Sequence, residues 1–566
     1  MAKLECLPNE LFLELFDYFD GTDLLHLFFG LNSRFNHLLY EQVQHYRFKF
    51  TSVSKRRFDT ICQQHLPCIA CRTTTLLLSN HDDTPEQIDF FLSYVPSWKS
   101  FTDLQSLSLA HVSSYQTLLE VVRRCSSLVN LNSLTLDSCV LESNQSDLQV
   151  MLDMIWSLAK LRFCQLGILL ADEPWIFAST KVSLCLEQLL IYWKSFELNE
   201  LNRVYECTPH LKHLSVLIAP SLKKCSLKSN FSTLVNLNMR LYERSNDLIT
   251  EILQTTQNVR YLEMTLLNNL IDGHRWEQII RTNLLNLTTF RLRMKDTLPK
   301  NDHLQERLNN LFYSFQSRFW IHERQWFIRC LTWDSTIHLY TLPRKVNYYE
   351  RKLPDSRRST SPHDDDDEFY NNITNIHDET FFDQSIPYPM HLSKIKHLRI
   401  KLPINKQFWS IVSSLKKLIS LTIESYTDVF QWQVQTLLDR ACHLQNLSIK
   451  QDASLPLQSS LFDCTNTSLN ELDLGDLNYT FHENECIRLA RSPLGSKCHI
   501  LSIVVQERQN VVTLVRHMKN LQTLKVHLKD GSNDDSAVRW LRNNLSSTYV
   551  IIKSKDDATD YILIWM

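Results

Sequence analysis

Apolar residues recur along most of the chain in the pattern L-x-x-L-x-L. Copies begin at Leu104, Leu131, Leu161, Leu186, Leu211, Leu234, Val259 and Leu287, and again at Ile395, Leu418, Leu444, Leu469, Cys498 and Leu521. Neighbouring copies begin 23 to 30 residues apart, as from 211 to 234 and from 131 to 161. The alternation that ends each copy predicts a short strand with one buried face, and residues 114–125 show the helical pattern expected between strands. The chain is therefore predicted to be α/β, with repeated strand and helix units.

The first fifty residues show a helical pattern instead. One apolar stripe recurs every four residues at Leu7, Leu11, Leu15 and Phe19, and a second is formed by Leu24, Leu25, Phe28 and Leu31. These stripes predict two short helices, and Phe35, Leu38 and Leu39 predict a third that runs from Ser33 toward Tyr40. We expect Gly21 to end the first helix in the left-handed conformation and Thr22 or Asp23 to cap the second. About 45 residues bury little surface, so this segment should lean on a partner or on the following domain.

The order and spacing of the N-terminal residues resemble the F-box. The motif positions are Leu7-Pro8, Glu10-Leu11, Leu15, Phe16, Tyr18, Asp23-Leu24-Leu25, Leu31, Asn32, Arg34 and Phe35. Asn32 and Phe35 depart from the family, in which Cys and Trp are common at these places. The resemblance implies that a Skp-type adaptor contacts Leu7, Pro8, Leu11, Leu15, Phe16, Leu24 and Leu25.

The repeat period is similar to that of leucine-rich repeats, about 20 to 29 residues. Such units are not stable alone and stack into a curved solenoid, with one strand and one helix per repeat. The resemblance to F-box proteins with leucine-rich repeats implies that variable strand positions face a target protein. The candidates are Gln105, Ser106, Ser108, Asn132, Ser133, Thr135, Lys212, His213 and Ser215.

Four regions follow from these patterns: an F-box over residues 1–50, repeats over 51–292, an insertion over 293–390 and further repeats over 391–566. The insertion is predicted to hold a helix over 303–319, a hairpin that turns at Asp334-Ser335, and a mobile acidic loop over 351–390. The loop is interpreted as a connector, with a phosphorylated Ser-Thr-Ser-Pro at 359–362 as the alternative. An aromatic cluster is expected to cover a sheet edge, with a ligand surface as the alternative: Phe319, Trp320, Trp326, Phe327 and Trp333.

The amino-acid composition argues against several classes of function. Sixty basic and 62 acidic residues and only seven Gly give neither a basic footprint for nucleic acid nor a Gly-rich phosphate loop. The sequence shows no secretory leader and no run of about 18 apolar residues, so no membrane span is expected and the cytoplasm or nucleus is predicted. Fifteen scattered Cys fit buried, reduced thiols.

One group of residues has spacing that suits zinc: Cys62, His65, Cys68 and Cys71. Four ligands this close in sequence converge on one ion only if the chain wraps tightly, which a helix would prevent. Buried thiols are therefore expected, with no metal and no cofactor. No local nucleophile motif accompanies the 15 Cys and 21 His, so no enzyme activity is predicted.

The resemblance to F-box proteins with leucine-rich repeats implies that the chain is the substrate-recognition subunit of a Skp-cullin-F-box ubiquitin ligase. Its partners would be a Skp-type adaptor, a cullin-RING ligase reached through that adaptor, and a target protein. The first alternative is a non-catalytic repeat scaffold that is not coupled to ubiquitination. The second is a plain repeat protein whose N-terminal helices only cap the repeats.

Overall fold

A computed structural model of the 566-residue chain forms two compact units. The first contains Met1–Ser52, Arg57–His81 and Glu86–Leu342, and the second contains Val53–Arg56, Asp82–Pro85 and Pro343–Met566. The boundary after Leu342 falls inside the predicted insertion. The structure describes residues 5, 7–171, 176–177, 179–218, 231–242, 246–298, 304–343, 353–363, 370–384, 386, 390–451, 459–475, 479–529, 535–555 and 560–566.

The strands of the first unit are β1 Tyr46–Lys49, β2 Thr73–Ser79, β3 Ser106–Ala110, β4 Ser133–Leu141, β5 Phe163–Leu170, β6 Gln188–Phe196, β7 His213–Ile218, β8 Asn236–Leu241, β9 Tyr261–Leu267, β10 Thr289–Thr297, β11 Ile328–Trp333 and β12 Thr336–Thr341. Those of the second unit are β13 Ser356–Ser359, β14 Asn375–Ile376, β15 His397–Lys401, β16 Ser420–Tyr426, β17 Asn446–Gln451, β18 Glu471–Leu474, β19 Ile500–Val505, β20 Thr523–Leu528, β21 Val550–Lys555 and β22 Asp560–Trp565.

The α-helices that precede residue 343 are α1 Asn9–Phe16, α2 Gly21–Phe28, α3 Ser33–His37, α4 Lys55–Thr60, α5 Leu66–Ile69, α6 Gln87–Tyr94, α7 Tyr115–Cys125, α8 Gln145–Trp156, α9 Leu198–Cys207, α10 Asn246–Gln254, α11 Gly273–Asn283 and α12 Leu304–Ser314. Later helices are α13 Phe408–Ile411, α14 Gln431–Arg440, α15 Glu483–Arg491, α16 Pro493–Lys497, α17 Arg508–His517 and α18 Asp535–Asn544. Single π-helical or 3₁₀ turns occupy Leu38–Gln42, Ile61–His65, Ala70–Arg72, Phe319–Glu323, Phe381–Asp383, Asp428–Phe430 and Ser459–Asp463. Within the described ranges, no helix has the length and apolar character needed to cross a bilayer.

Parallel pairing in register builds the core of the first unit. Its parallel strands lie side by side in the order β1 to β10. One apolar residue of each strand from β3 to β10 is aligned with its counterpart on the next strand, and together they form a continuous apolar row: Leu107, Leu134, Cys164, Leu189, Leu214, Leu237, Leu262 and Phe290. All eight are at most 4% exposed. The α/β class and the repeated strand and helix units are therefore confirmed.

The hydrogen bonds between units also repeat. The carbonyl oxygen of the residue before a strand accepts two N–H groups from the next unit: Gln105 O accepts from Asn132 N at 2.9 Å and from Ser133 N at 3.0 Å. Asn132 O then accepts from Arg162 N and Phe163 N at 2.8 and 2.9 Å. Backbone groups at the strand entrances are thereby satisfied, which buried amides require.

A hairpin follows the parallel strands of the first unit. β10 pairs antiparallel with β12, and β12 pairs with β11 through the turn at Asp334 and Ser335. The predicted hairpin and the predicted helix, here α12, are present. Of the aromatic cluster, Phe319 and Trp320 are at most 1% exposed, and Trp320 lies 6.0 Å from Phe290 between ring centroids. These two side chains belong to the core of the strand stack.

The second unit repeats this construction in the order β14 to β20, followed by β22 and β21. Its in-register row, at most 3% exposed, is Leu398, Leu421, Leu447, Leu472, Leu501 and Leu524. The short segment Val53–Arg56 belongs to this unit: Trp565 Nε1 donates to Val53 O at 2.8 Å and Lys55 N donates to Met566 O at 2.6 Å.

The predicted mobile loop over 351–390 is partly ordered. β13 and β14 lie within it, and Phe381 and Phe382 are buried. Phe381 and Phe382 are at most 2% exposed, so their part of the predicted loop packs into a core, whereas β13 consists of half-buried Ser and Arg. The acidic run Asp364 to Glu368 lies outside the described residues.

We expect Leu262→Ala to destabilise the first unit, because it leaves a cavity in the apolar row. Removing a buried leucine side chain beyond Cβ costs about 2 to 5 kcal/mol. The thermal unfolding midpoint should fall by several degrees. Leu285→Ala is the matched control, since Leu285 is 75% exposed and its change should be within about 0.5 kcal/mol. Equal midpoints for both variants would contradict the role assigned to the row.

Candidate functional site

The three N-terminal helices pack around phenylalanines. Phe12 meets Phe35 at 4.9 Å, Phe16 meets Phe28 at 4.8 Å, and Phe28 meets Phe35 at 5.6 Å, all measured between ring centroids. Tilted or edge-on contacts at these distances favour aromatic pairs. Phe12, Phe16, Phe28 and Phe35 are at most 6% exposed, so they form the small core of this segment.

The start of α2 differs from the prediction. Asp20 is the N-cap, and its Oδ1 accepts from the N–H groups of Thr22 and Asp23 at 2.9 Å each. The expected cap at Thr22 or Asp23 and the left-handed Gly21 were wrong, because Gly21 is already the first helical residue. Gly21 is needed for a close approach instead: a Cβ there would lie 2.6 Å from Cε1 of Phe48.

The N-terminal helices pack against the chain that follows, as expected for so small a segment. Tyr40 OH lies 2.6 Å from Nδ1 of His65, and Arg72 Nη1 donates to Val43 O at 3.0 Å. The ring of Phe29 packs edge-on against His65 at 4.5 Å between ring centroids. These contacts join the end of α2 and the turn after α3 to the helices of residues 55–72.

The seven predicted adaptor-binding residues divide into two groups. Leu7, Pro8 and Leu11 are exposed and Leu15 is half-buried. Phe16, Leu24 and Leu25 are 2 to 3% exposed and belong to the core of this segment. A segment of short helices needs several of its apolar residues for its own core, so only part of the predicted set is exposed.

Six large apolar side chains within residues 7–31 are exposed, out of nineteen in the described part of the chain. We call them the N-terminal apolar surface: Leu7, Leu11, Tyr18, Leu27, Phe29 and Leu31. Tyr18 is 87% exposed and Leu31 59%. The motif analysis assigned no contact to Tyr18, Leu27, Phe29 or Leu31. Leu27 and Phe29 could have been found from their position beside the buried Phe28.

Arg34 holds the start of this surface in place. Its guanidinium donates to Asn9 Oδ1 and Glu5 O at 2.7 Å and to Leu7 O at 2.5 Å. It also lies over the ring of Phe12, 5.4 Å from the centroid. A planar group with five donors suits such a fork of oxygens, which lysine cannot reproduce.

The predicted target-binding residues occupy the half-exposed strand positions or the residues just before them. Ser106, Ser108, Ser133, Thr135, His213 and Ser215 alternate with buried neighbours, and Gln105, Asn132 and Lys212 precede their strands. Lys212 Nζ pairs with Glu187 Oε2 at 3.0 Å. A depression of about 370 Å³ brings Gln105 and Asn132 together with Lys160 and Arg162.

A second depression, of about 230 Å³, lies across β5 to β9, and we call it the strand groove. It brings together His213 and Ser215 of the predicted set. His213 Nδ1 lies 2.7 Å from Nδ2 of Asn236, and burial lowers the pKa of His213, which favours a neutral ring. The other lining residues are Phe163, Gln188, Leu190, Tyr192, Leu214, Asn236, Leu237, Asn238 and Tyr261.

The cysteine and histidine residues of the zinc-like spacing do not form a metal site. Residues 55–72 are helical throughout, with Cys62 and His65 buried and Cys68 and Cys71 exposed. In the part of the chain that the structure describes, no three His, Cys, Asp or Glu side chains are placed to hold a metal ion. Elsewhere, burial raises the pKa of Cys125 and Cys164 to about 12, so these thiols stay protonated at neutral pH.

A scan against protein-family models and a search of curated proteins gave no match to this chain.

We expect Arg34→Ala to loosen residues 7–9, because three hydrogen bonds from a charged donor are lost and each is worth about 1.5 to 3 kcal/mol when well formed. Amide hydrogen exchange at Phe12, whose N–H donates to the carbonyl oxygen of Pro8, should become at least tenfold faster. Arg34→Lys should rescue little of this protection, whereas Arg123→Ala, at an exposed site on α7, should leave it unchanged. Full rescue by lysine would show that charge alone holds the segment.

Acidification should weaken the contact between Tyr40 and His65. Burial lowers the pKa of His65, whereas the unfolded imidazole titrates near 6.5. The unfolded state therefore takes up the proton first, so this contribution to stability is present above about pH 6.5 and is lost as the pH falls through the folded pKa. The thermal midpoint should fall less between pH 7.5 and 5 in His65→Gln than in the wild type. His45→Gln, at an exposed position, should keep the wild-type pH dependence.

Proposed function

We propose that this chain is a substrate-recognition subunit of a Skp-cullin-F-box ubiquitin ligase. In this proposal the N-terminal helices are an F-box that docks a Skp-type adaptor, and the strand and helix units are leucine-rich repeats that bind a target protein. The chain itself would have no catalytic residues.

The N-terminal apolar surface carries the proposal. Soluble monomers seldom expose large apolar patches without using them for binding. Leu11 lies in α1 and Leu7 two residues before the first residue of that helix, Asn9, so both exposed leucines lie at the start of the segment. The exposed residues include three of the motif positions that the F-box resemblance assigns to the adaptor: Leu7, Pro8 and Leu11. The buried Phe16, Leu24 and Leu25 would support the contact by holding the helices together.

The repeated strand and helix units support the proposal that the chain binds a target protein. Strands such as β3 and β4 use alternate residues for the buried face and leave polar side chains on the other face, which a repeat protein can use for binding. An adaptor at one site and a target at another would turn ubiquitin transfer into an effectively intramolecular step. Proximity of this kind raises the local concentration of the target without any catalytic side chain in the receptor.

Binding to a purified Skp-type adaptor tests the proposal directly. The wild-type chain should form a stable complex on size-exclusion chromatography, and Leu11→Asp combined with Pro8→Ala should weaken it at least tenfold. Leu285→Asp is the matched control, because it places the same charge at a 75% exposed leucine outside the surface. Absence of a complex with the wild-type chain would make residues 7–42 a cap of the repeats. A complex that recruits no cullin would identify a scaffold that is not coupled to ubiquitination.

A further inference from the structure

The depression of about 370 Å³ lies where the chain enters β3, β4 and β5, and we call it the entrance pocket. Gln105, Asn132 and Arg162 line it, and each stands just before one of these strands. The other lining residues are Asn130, Ala159, Lys160 and Cys185. The volume falls in the range of about 300 to 1,000 Å³ that is usual for ligand sites. Successive repeats therefore build one pocket of a size that suits a small ligand or the end of a chain.

The lining of the entrance pocket offers cations and amide groups, and none of its described residues carries a carboxylate. Lys160, Arg162 and Gln105 are exposed, and Asn132 is half-buried. Within the described ranges, the side chains of Gln105, Asn132 and Arg162 make no hydrogen bond and no ion pair. The polar groups of these three side chains are therefore available to a ligand.

Asn130 is bonded within the protein and positions Lys160. Its Nδ2 donates to Thr102 O at 2.8 Å, and its Oδ1 accepts from Lys160 Nζ at 2.9 Å. An ammonium group has three N–H donors, so Lys160 keeps two of them for a ligand. The hydrogen bond to Asn130 holds this charge beside the pocket.

The carboxylates of the adjoining turns have partners of their own. Glu187, just before β6, accepts from Lys212 Nζ at 3.0 Å. This hydrogen bond lowers the pKa of Glu187, and the charge of Arg162 adds to the effect. The Asp103 carboxylate accepts from the hydroxyl of its neighbour in the chain at 3.3 Å. Even with both carboxylates counted, Lys160 and the two cations named above leave a net positive charge at this edge of the strands.

We infer that the entrance pocket binds the carboxyl-terminal end of a target protein. The terminal carboxylate would accept from Arg162, whose planar guanidinium presents parallel N–H groups that match the two carboxylate oxygens, and from Lys160. The side-chain amides of Asn132 and Gln105 would pair with the last peptide groups of the target. The inference rests on the proposed function, because it names the part of a target that the receptor would hold.

The amide side chains favour the end of a peptide over an isolated oxyanion. Each amide has an acceptor oxygen and an NH₂ donor, which complement the N–H and C=O groups of a peptide backbone. A phosphate dianion has only acceptors, so the amide oxygens of Gln105 and Asn132 would gain no partner from it. Ala159 and Cys185 add small apolar groups to the lining, which suit an apolar side chain on the last residue.

Backbone hydrogen bonds set the spacing of the binding groups. Gln105 O accepts from Asn132 N at 2.9 Å, and Asn132 O accepts from Arg162 N at 2.8 Å, so the three residues stand at successive strand entrances. Neighbouring strands lie about 4.8 Å apart, which places Arg162 roughly 10 Å from Gln105. An extended chain advances about 3.3 Å per residue. The pocket would therefore hold about the last three residues of the target.

Selection on the immobilised full-length chain tests the inference, with a library of random hexapeptides fused to the C-terminus of a carrier protein. An enriched peptide with a free terminal carboxylate should bind at least tenfold more tightly than copies that end in an amide or in two added glycines. Lys160→Gln with Arg162→Gln should weaken its binding at least tenfold and leave the thermal midpoint nearly unchanged, because both residues are exposed. Lys416→Gln with Lys417→Gln, at two exposed lysines of the second unit, should keep the wild-type affinity.

Several results would overturn the inference. They are no enriched terminal sequence, equal binding of the amidated copy, equal binding of the glycine-extended copy, or unchanged affinity in the variant with Lys160→Gln and Arg162→Gln. An amidated phosphoserine peptide that binds more tightly than the carboxylate peptide would make the pocket a phosphate site instead. Adaptor binding is measured on the same variants. Retained adaptor binding with failed peptide binding rejects only this inference, whereas failed adaptor binding with selection of peptide ends rejects only the proposed function.

Discussion

The in-register pairing of successive parallel strands is the constraint on which each unit depends. A slip of one residue would turn every side chain of a strand to the opposite face, so the register that aligns Leu134 with Cys164 also decides which polar residues stay outside. The carbonyl of Asn132 fixes the same alignment at the strand entrance, because it accepts two N–H groups of the next unit. The register of the strands thus sets both the buried face and the outward polar face of each unit.

Antiparallel strands end each series of parallel units. A parallel connection needs a crossover, whereas two antiparallel strands can join through a tight turn, as β11 and β12 do. In the first unit β12 adds to β10, and in the second β22 adds to β20. Added strands of this kind satisfy backbone groups that the last repeated strand would otherwise expose.

The N-terminal helices also divide their residues between a buried core and an exposed surface. Their phenylalanines form a small core, and Phe29 packs against His65 of the chain that follows, while leucines of the same segment remain exposed to solvent. A segment this small cannot bury all its apolar residues, because its surface is large relative to its volume. The apolar residues that stay exposed form the N-terminal apolar surface, which we propose binds the adaptor.

The sequence alone determined the class of fold, the position of nearly every repeated strand and the three N-terminal helices, because these follow from local periodicity. It also located the hairpin at Asp334 and Ser335. Only the tertiary structure decided that Phe16, Leu24 and Leu25 are buried, that Asp20 caps α2, and that Arg162 lines the entrance pocket together with Gln105. Periodicity shows which face of an element is apolar. Whether a neighbour covers that face, and which side chains meet across neighbouring strands, depends on packing between segments that are distant in sequence.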